Sequence, residues 1–273
     1  MTCPVCASDR SAVFRGLLLG RHEVDYYLCD NCGLLQTEEP YWLDEAYRNA
    51  IADTDTGIVE RNRFNCEILT VILDHMFGAA GRFLDIAGGY GLLTRMLRDR
   101  GFDCWTSDKY CKNLLAIGFD APPGFTADAM FAFEVLEHVI DPVTFLGDHF
   151  TRHNCKTLVM STATFSGRPP DKSWWYYSFE SGQHISFYQT RTLAYIASKL
   201  GCKYFMVNRE MHILSVQELP FALRLLLRKK RLGRLAAALI TRRRAKLNLA
   251  WADHLRAKRL IRDAQQKGHA PSA

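Results

Sequence analysis

The stretch Phe83-Leu84-Asp85-Ile86-Ala87-Gly88-Gly89-Tyr90-Gly91, followed by Leu92, Leu93, Met96 and Leu97 at helical spacing, decides the fold. Its apolar start reads as a buried strand, its glycines as a tight turn and its periodic end as a helix. Glycines at such a turn remove Cβ atoms, so a ligand can lie against the backbone while the first N–H groups of the helix face it. A dinucleotide fingerprint, G-x-G-x-x-G, is the competing reading. After Gly89 and Gly91, however, its third glycine is replaced by Thr94, and Asp85 stands at a strand end that is usually apolar in dinucleotide binders. An acidic residue is expected roughly 20 positions on, at the end of the second strand, to accept hydrogen bonds from ribose hydroxyls. Asp108, in Trp105-Thr106-Ser107-Asp108, meets that expectation; its alternative role is to cap the next helix.

Outward from this turn, apolar runs predict strands near 82–87, 103–108, 129–134 and 156–161, with helices near 91–100, 110–117, 142–151 and 189–200. The alternation signals βα units and a mostly parallel sheet, closed by two last strands near 203–208 and 213–217. Upstream, Ile58, Phe64, Ile68, Leu69, Ile72 and Met76 share one face of a helix over 57–77. The expected organisation is a small module over 1–40, an α/β domain over 41–218 and a helical tail over 219–273.

The first module carries Cys3-Pro4-Val5-Cys6 and, after a gap of 22 residues, Cys29-Asp30-Asn31-Cys32. Two C-x2-C pairs at this spacing predict a zinc ribbon, because each short turn offers two thiolates to one metal and the second turn completes the tetrahedron. Such a closed four-thiolate site is structural. Redox dithiols and unconnected buried cysteines are the alternatives. Cys66, Cys104, Cys111, Cys155 and Cys202 lack a partner pattern and read as ordinary thiols of a reducing compartment.

The 273 residues, 48% hydrophobic and 23% charged, have the composition of a globular protein and not of a disordered or fibrous one. No apolar run approaches the ~18 residues needed to cross a bilayer, and Met1-Thr2-Cys3-Pro4 does not open like a signal peptide, so a cytoplasmic location is expected. The net charge of +6 is unevenly spread: residues 224–273 hold 15 Lys and Arg against Asp253 and Asp263, whereas the rest of the chain has 20 basic and 27 acidic residues. The tail therefore needs its own explanation. It reads as two amphipathic cationic helices over about 221–265, which either pack on the acidic body or lie on an anionic membrane surface. RNA is a third partner for such a stripe, but the ribbon offers no basic footprint, so nucleic acid is not the favoured partner.

The acid-led glycine turn, Asp108 and the run Ala132-Phe133-Glu134-Val135-Leu136-Glu137-His138-Val139-Ile140-Asp141-Pro142 together resemble class I S-adenosylmethionine-dependent methyltransferases. The resemblance implies a Rossmann-like sheet with helices on both faces, and S-adenosylmethionine as cofactor. It further implies that Asp85, Ala87, Gly88, Gly89 and Gly91 form the cofactor turn against the methionine part, that Asp108 holds the ribose, and that Glu134 borders the methyl-transfer cleft. Ala87 stands where the family has glycine, which is tolerated if its backbone avoids positive φ. Only 20 residues separate Asp108 from the fourth strand, so the third is short and Asp120 is the candidate adenine contact.

On the acceptor side, Trp174-Trp175-Tyr176-Tyr177-Ser178-Phe179-Glu180-Ser181-Gly182-Gln183-His184-Ile185-Ser186-Phe187-Tyr188 is dense in aromatic and polar residues. Rings with flat apolar faces and polar tips suit a sugar or another small hydroxylated acceptor, although an ordinary packed loop has the same composition. His184, with an unperturbed pKa near 6.5, is the candidate general base, and Glu180 its candidate orienting partner. His138 reads as structural. The segment resembles the histidine-containing region of sugar methyltransferases that carry an N-terminal cysteine module. The implied reaction is methyl transfer to a small hydroxylated acceptor such as a nucleotide sugar or glycan precursor. An RNA methyltransferase and a non-catalytic scaffold with the cofactor fold are the alternatives.

Overall fold

A computed structural model describes residues 1–48, 55–78 and 80–266. In chain order the first elements are β1 (Ser11–Leu18), β2 (His22–Leu28), β3 (Leu35–Thr37), α1 (Leu43–Ala46), α2 (Ile58–Phe77), β4 (Arg82–Ile86), α3 (Leu92–Asp99) and β5 (Asp103–Ser107). There follow β6 (Ala129–Ala132), α4 (Pro142–Arg152), β7 (Thr157–Ser161), β8 (Thr164–Phe165), β9 (Ser186–Gln189), α5 (Thr190–Lys199), β10 (Lys203–Met206) and β11 (Met211–Ser215). The chain then continues as α6 (Phe221–Arg228), α7 (Lys230–Arg244) and α8 (Ala250–Gln266). It forms two compact units, Met1–Thr56 with Ala129–Glu218, and Gly57–Asp128 with Leu219–Ala273. No helix among the described residues is long and apolar enough to cross a membrane.

In the first unit, β1, β2 and β3 form an antiparallel meander, and the sheet continues past it into β9 and β8. Leu35 faces Phe187 and Gln36 faces Ser186 across the β3–β9 pair, while β8 runs parallel to β9. The strands flanked by the four cysteines thus share a sheet with residues more than a hundred positions away. A core of Leu18, Val24, Tyr26, Leu35, Trp42, Tyr176, Tyr177, Ile185 and Phe187 covers one face of it. This corrects the expectation for the aromatic segment. Tyr176, Tyr177, Phe187 and Tyr188 are buried, Trp174 and Phe179 are half-buried, and Trp175, 70% exposed, presents its ring to solvent. The rings are there because a small sheet needs large apolar side chains to exclude water from one face.

The same unit holds β10, β11, β7 and β6 side by side. β6 and β7 are parallel, joined through α4, while β11 and β10 turn antiparallel. α4 starts at Asp141, whose carboxylate accepts from Val143 N at 3.1 Å and Thr144 N at 3.0 Å, with Pro142 in the first helical position. The last strand begins two residues earlier than its apolar run suggests.

In the second unit, β4 and β5 pair in parallel through α3, completing the turn-to-helix passage read from sequence. The helix expected over 110–117 does not form. Asp108 Oδ1 accepts from Tyr110 N and Cys111 N, Leu114 N and Leu115 N donate to Tyr90 O, and the Asn113 amide takes both Ala116 N and Ala116 O. Side chains and a neighbouring carbonyl thereby satisfy the backbone groups a helix would have used. The short third strand is reduced to a single parallel bridge between Thr106 and Asp120.

The tail comprises three α-helices among the described residues rather than two, because Lys229 leaves helical geometry and Asn248 Oδ1 caps a new start at Ala250 N. α7 packs on α2, with the buried Arg244 bonded to Asp74, to Arg100 O and to Gly101 O. Asp253 of α8 grips the buried Arg98 of α3 in two 2.8 Å bonds, and the Arg98 guanidinium lies 3.4 Å from the Phe119 ring centroid. Removing one partner of a buried pair costs about 3–5 kcal/mol, so Arg244 and Asp253 are structural residues of the tail.

Candidate active site

The glycine turn lies in the second unit, between β4 and α3. Asp85 is 3% exposed, and burial, aided by the neighbouring Asp108, pushes its carboxyl up to about 8. A Cβ at Gly88 would collide with Thr106 Oγ1 and stand 2.8 Å from Asp85 Oδ2. At Gly91, which has φ +84, a Cβ would stand 2.5 Å from Asn113 Oδ1. Gly89, with φ +56, instead faces open space for 4 Å beyond its Cβ position. The backbone is therefore packed tightly from below and bare above.

Ala87 has φ 60, so the condition under which alanine was expected to replace glycine without penalty is not met. Its N–H is held by Ser107 O at 2.7 Å, which keeps the residue in the left-handed region at a cost of about 1–2 kcal/mol. Ala87→Gly is expected to raise the stability of the ligand-free protein by about 1 kcal/mol, read as a higher urea midpoint with an unchanged slope. An unchanged midpoint would show that the turn carries no such strain.

Asp108 sits at the strand end as expected, but its oxygens are already engaged. Oδ2 accepts from Gly89 N at 2.9 Å, and Oδ1 accepts from Tyr110 N and Cys111 N, each at 2.7 Å. A carboxylate has about four acceptor positions, so roughly one stays open to a ligand hydroxyl. Asp120 is exposed and accepts from Asn113 Nδ2 at 3.2 Å. Thr106 Oγ1 is buried without a hydrogen-bond partner beneath the turn.

In the first unit, β6 runs out at Glu134, which also has positive φ, 54. Its N–H donates to Ser161 Oγ at 2.8 Å, and the same hydroxyl donates to Glu134 Oε1 at 2.6 Å. The 3₁₀ turn Leu136–His138 follows, pinned by Tyr188 Oη donating to Leu136 O and Ile185 N donating to Glu137 O. His184 stands against this turn, its ring centroid 4.9 Å from that of His138. His184 Nδ1 meets Tyr176 O at 2.7 Å, and His138 Nδ1 meets Gln183 O at 3.0 Å. Burial, with the His184 charge adding to it, lowers the His138 pKa to about 3.

Glu180 does not orient His184. It is exposed and makes no hydrogen bond to that ring, whose position is set by the Tyr176 carbonyl. Sequence reasoning missed Glu137. This residue is fully buried, neither of its carboxylate oxygens has a hydrogen-bond partner, and desolvation with Glu134 nearby raises its pKa well above the usual carboxylate range. The signal available beforehand was the dipeptide Glu137-His138 itself, whose meaning depends on His184 arriving from a distant segment.

The four predicted metal ligands converge in the first unit. Cys3 Sγ lies 3.5 Å from Cys32 Sγ, Cys6 Sγ lies 3.4 Å from Cys29 Sγ, and all four sulfurs fall within 4.8 Å of one another. Tetrahedral thiolates ~2.3 Å from zinc are ~3.8 Å apart, so the donor set fits that ion. Each pair closes with a positive-φ residue, Ala7 and Gly33, and with turn bonds from Ala7 N to Cys3 O and from Gly33 N to Cys29 O. Thr192 Oγ1 and Arg191 Nη1 donate to Cys32 O and Asp30 O, tying the start of α5 to the second pair.

Parallel strands joined through helices, with an acid-led glycine turn at the first crossover, place the chain in the class of Rossmann-like methyltransferase folds. The family described as Methyltransferase domain matches residues 59–205, more than half of the chain, and the chain belongs to that family. Among solved structures, TnmH is similar at 16% identity over 66% of this chain and 62% of its own, with a TM-score of 0.45. The mitomycin 7-O-methyltransferase MmcR is similar at 15% identity over 63% of this chain and 59% of its own, with a TM-score of 0.41. Magnesium protoporphyrin IX methyltransferase (ChlM) from Synechocystis PCC 6803, with bound SAH, is similar at 15% identity over 64% of this chain and 94% of its own, with a TM-score of 0.40. The chain spans 62% and 59% of the first two proteins' length. No curated protein matches the sequence.

Proposed function

We propose that the chain transfers a methyl group from S-adenosylmethionine to a hydroxyl of a small acceptor. The observation that carries this reading is the turn over 87–91, packed so closely beneath that Gly88 and Gly91 admit no side chain, yet open above Gly89. Such a cradle fits a ligand that lies on bare backbone, and a cationic methionine end would draw the buried Asp85, whose carboxyl is pushed up to about 8, back to its charged form. When bound, S-adenosylmethionine supplies an electrophilic methyl carbon on a sulfonium.

The chain's own residues then divide the work. Asp85, Ala87, Gly88, Gly89 and Gly91 are assigned to the methionine side of the cofactor. Asp108 takes a ribose hydroxyl on its remaining acceptor position, and Glu134 is assigned to the border of the methyl-transfer cleft. His184 is assigned to activation of the acceptor hydroxyl. Cys3, Cys6, Cys29 and Cys32 are assigned to one structural zinc ion.

Calorimetric titration with S-adenosylhomocysteine and with NAD tests the cofactor. One equivalent of S-adenosylhomocysteine and no NAD is the expected result, and Asp108→Asn is expected to weaken the former about tenfold through the lost charged acceptor. NAD binding with S-adenosylhomocysteine silent would overturn the reading. Cofactor binding without turnover on any hydroxylated acceptor would favour the scaffold instead.

A further inference from the structure

We infer that Glu137, His138 and His184 form a binding site for a divalent first-row cation. The acceptor hydroxyl enters its open coordination positions, a second half of the proposal that rests on the methyl-transfer reading above. One ligand atom from each of the three side chains lies within 4.8 Å of the others, close enough for a small contraction to bring them around one ion.

The two imidazoles are prepared for this role by their hydrogen bonds. A backbone carbonyl can only accept, so the contacts of Nδ1 with Gln183 O and Tyr176 O place the proton on Nδ1 in both rings and the lone pair on Nε2. Metal-binding histidines are commonly fixed by such a bond from the second nitrogen to a carbonyl or carboxylate. The rings stand nearly perpendicular, at 82°, and their backbone segments are joined by the bond from Ile185 N to Glu137 O.

Glu137 supplies the second, independent observation. Its side chain is fully buried, and both oxygens lack a hydrogen bond. Tyr176 Oη and Thr162 Oγ1 bond each other at 3.1 Å, and these nearby hydroxyls only ease the burial that raises the Glu137 pKa. An unpaired buried carboxyl is costly in either protonation state, because the neutral acid also needs an acceptor for its proton. A cation removes that cost and turns the orphan into a ligand. Two imidazoles with one carboxylate suit Mn, Fe, Co or Zn, and three protein ligands leave positions open, unlike the closed set of four cysteines. A hydroxyl bound there is held in place and made more acidic, so His184 activates it as a ligand of the cation and not as a free base.

The test uses the full chain with zinc in its cysteine site, titrated with Mn(II) and followed by the electron paramagnetic resonance signal of the free ion. Mn(II) is chosen because thiolates disfavour it, so it leaves the ribbon alone. Wild type is expected to take up one Mn(II), and Glu137→Gln and His138→Ala each to weaken it at least about tenfold. Glu137→Gln keeps the shape and removes a buried acid, so its melting curve without Mn(II) should match or exceed that of wild type. Calorimetry with S-adenosylhomocysteine on the same samples separates the two readings. Mn(II) bound with S-adenosylhomocysteine silent upholds the cation site and sinks the cofactor reading. A free-ion signal left intact by wild type, or equal uptake by wild type and both variants, overturns the cation site, whatever the cofactor does.

Discussion

Gly89→Ala is expected to lower affinity for S-adenosylhomocysteine by about 100-fold, or about 2.7 kcal/mol, while the ligand-free protein stays folded. The added methyl meets nothing within 4 Å in the ligand-free chain, so its cost there is limited to holding an alanine at φ +56. That cost is about 1–2 kcal/mol, which lowers Tm by a few degrees in a chain of this size. With the cofactor in place, the same methyl occupies the space over the turn. Gly88→Ala behaves differently. Its Cβ would collide with Thr106 Oγ1 and with the Asp85 carboxylate, so stability and binding should fall together. Melting curves and calorimetry on both variants make the comparison. Normal affinity in Gly89→Ala would mean that no ligand lies over this backbone.

The second large effect is expected from the cysteine cluster. Metal analysis should return one zinc per chain, and Cys29→Ser, or a chelator applied to wild type, should remove it. Structural zinc contributes on the order of 10 kcal/mol to the folding of small ribbons, so β1–β3 should lose their order. Turnover should follow, because β3 pairs with β9 just beyond His184, and Gln36 Nε2 donates to Ile140 O at 2.7 Å and to Ser186 Oγ at 2.9 Å. Affinity for S-adenosylhomocysteine should persist, since the glycine turn belongs to the other unit. Full turnover in zinc-free Cys29→Ser would refute this support for the histidine.

The parts of this architecture legible in the sequence are those whose geometry is set locally. The strand and turn around Asp85, the position of Asp108 and the two cysteine pairs depend on spacing within a few residues. The start of α4 was equally readable from Asp141-Pro142. What escaped depends on distant partners. The segment over 110–117 has helical composition, but Tyr90 O and the side chains of Asp108 and Asn113 capture its backbone. The positive φ of Ala87 follows from its bond to Ser107 O on the neighbouring strand, which no local pattern reveals. The rings over 174–188 are conspicuous by composition, yet nothing in their own sequence says that they pack against β1–β3. Glu137 and His138 acquire a partner only when His184, 46 positions on, folds against them.

The placement of β9 between β3 and β8 bears on how this chain can be shortened. Cutting away the first forty residues would strip β9 of a neighbour and bare the inward-facing Phe187 beside a row of unpaired amides and carbonyls. A raw strand margin of that kind recruits further chains edge to edge. The trimmed fragment would accumulate as insoluble aggregate, and the cysteine-bearing segment is in this sense a guard against self-assembly.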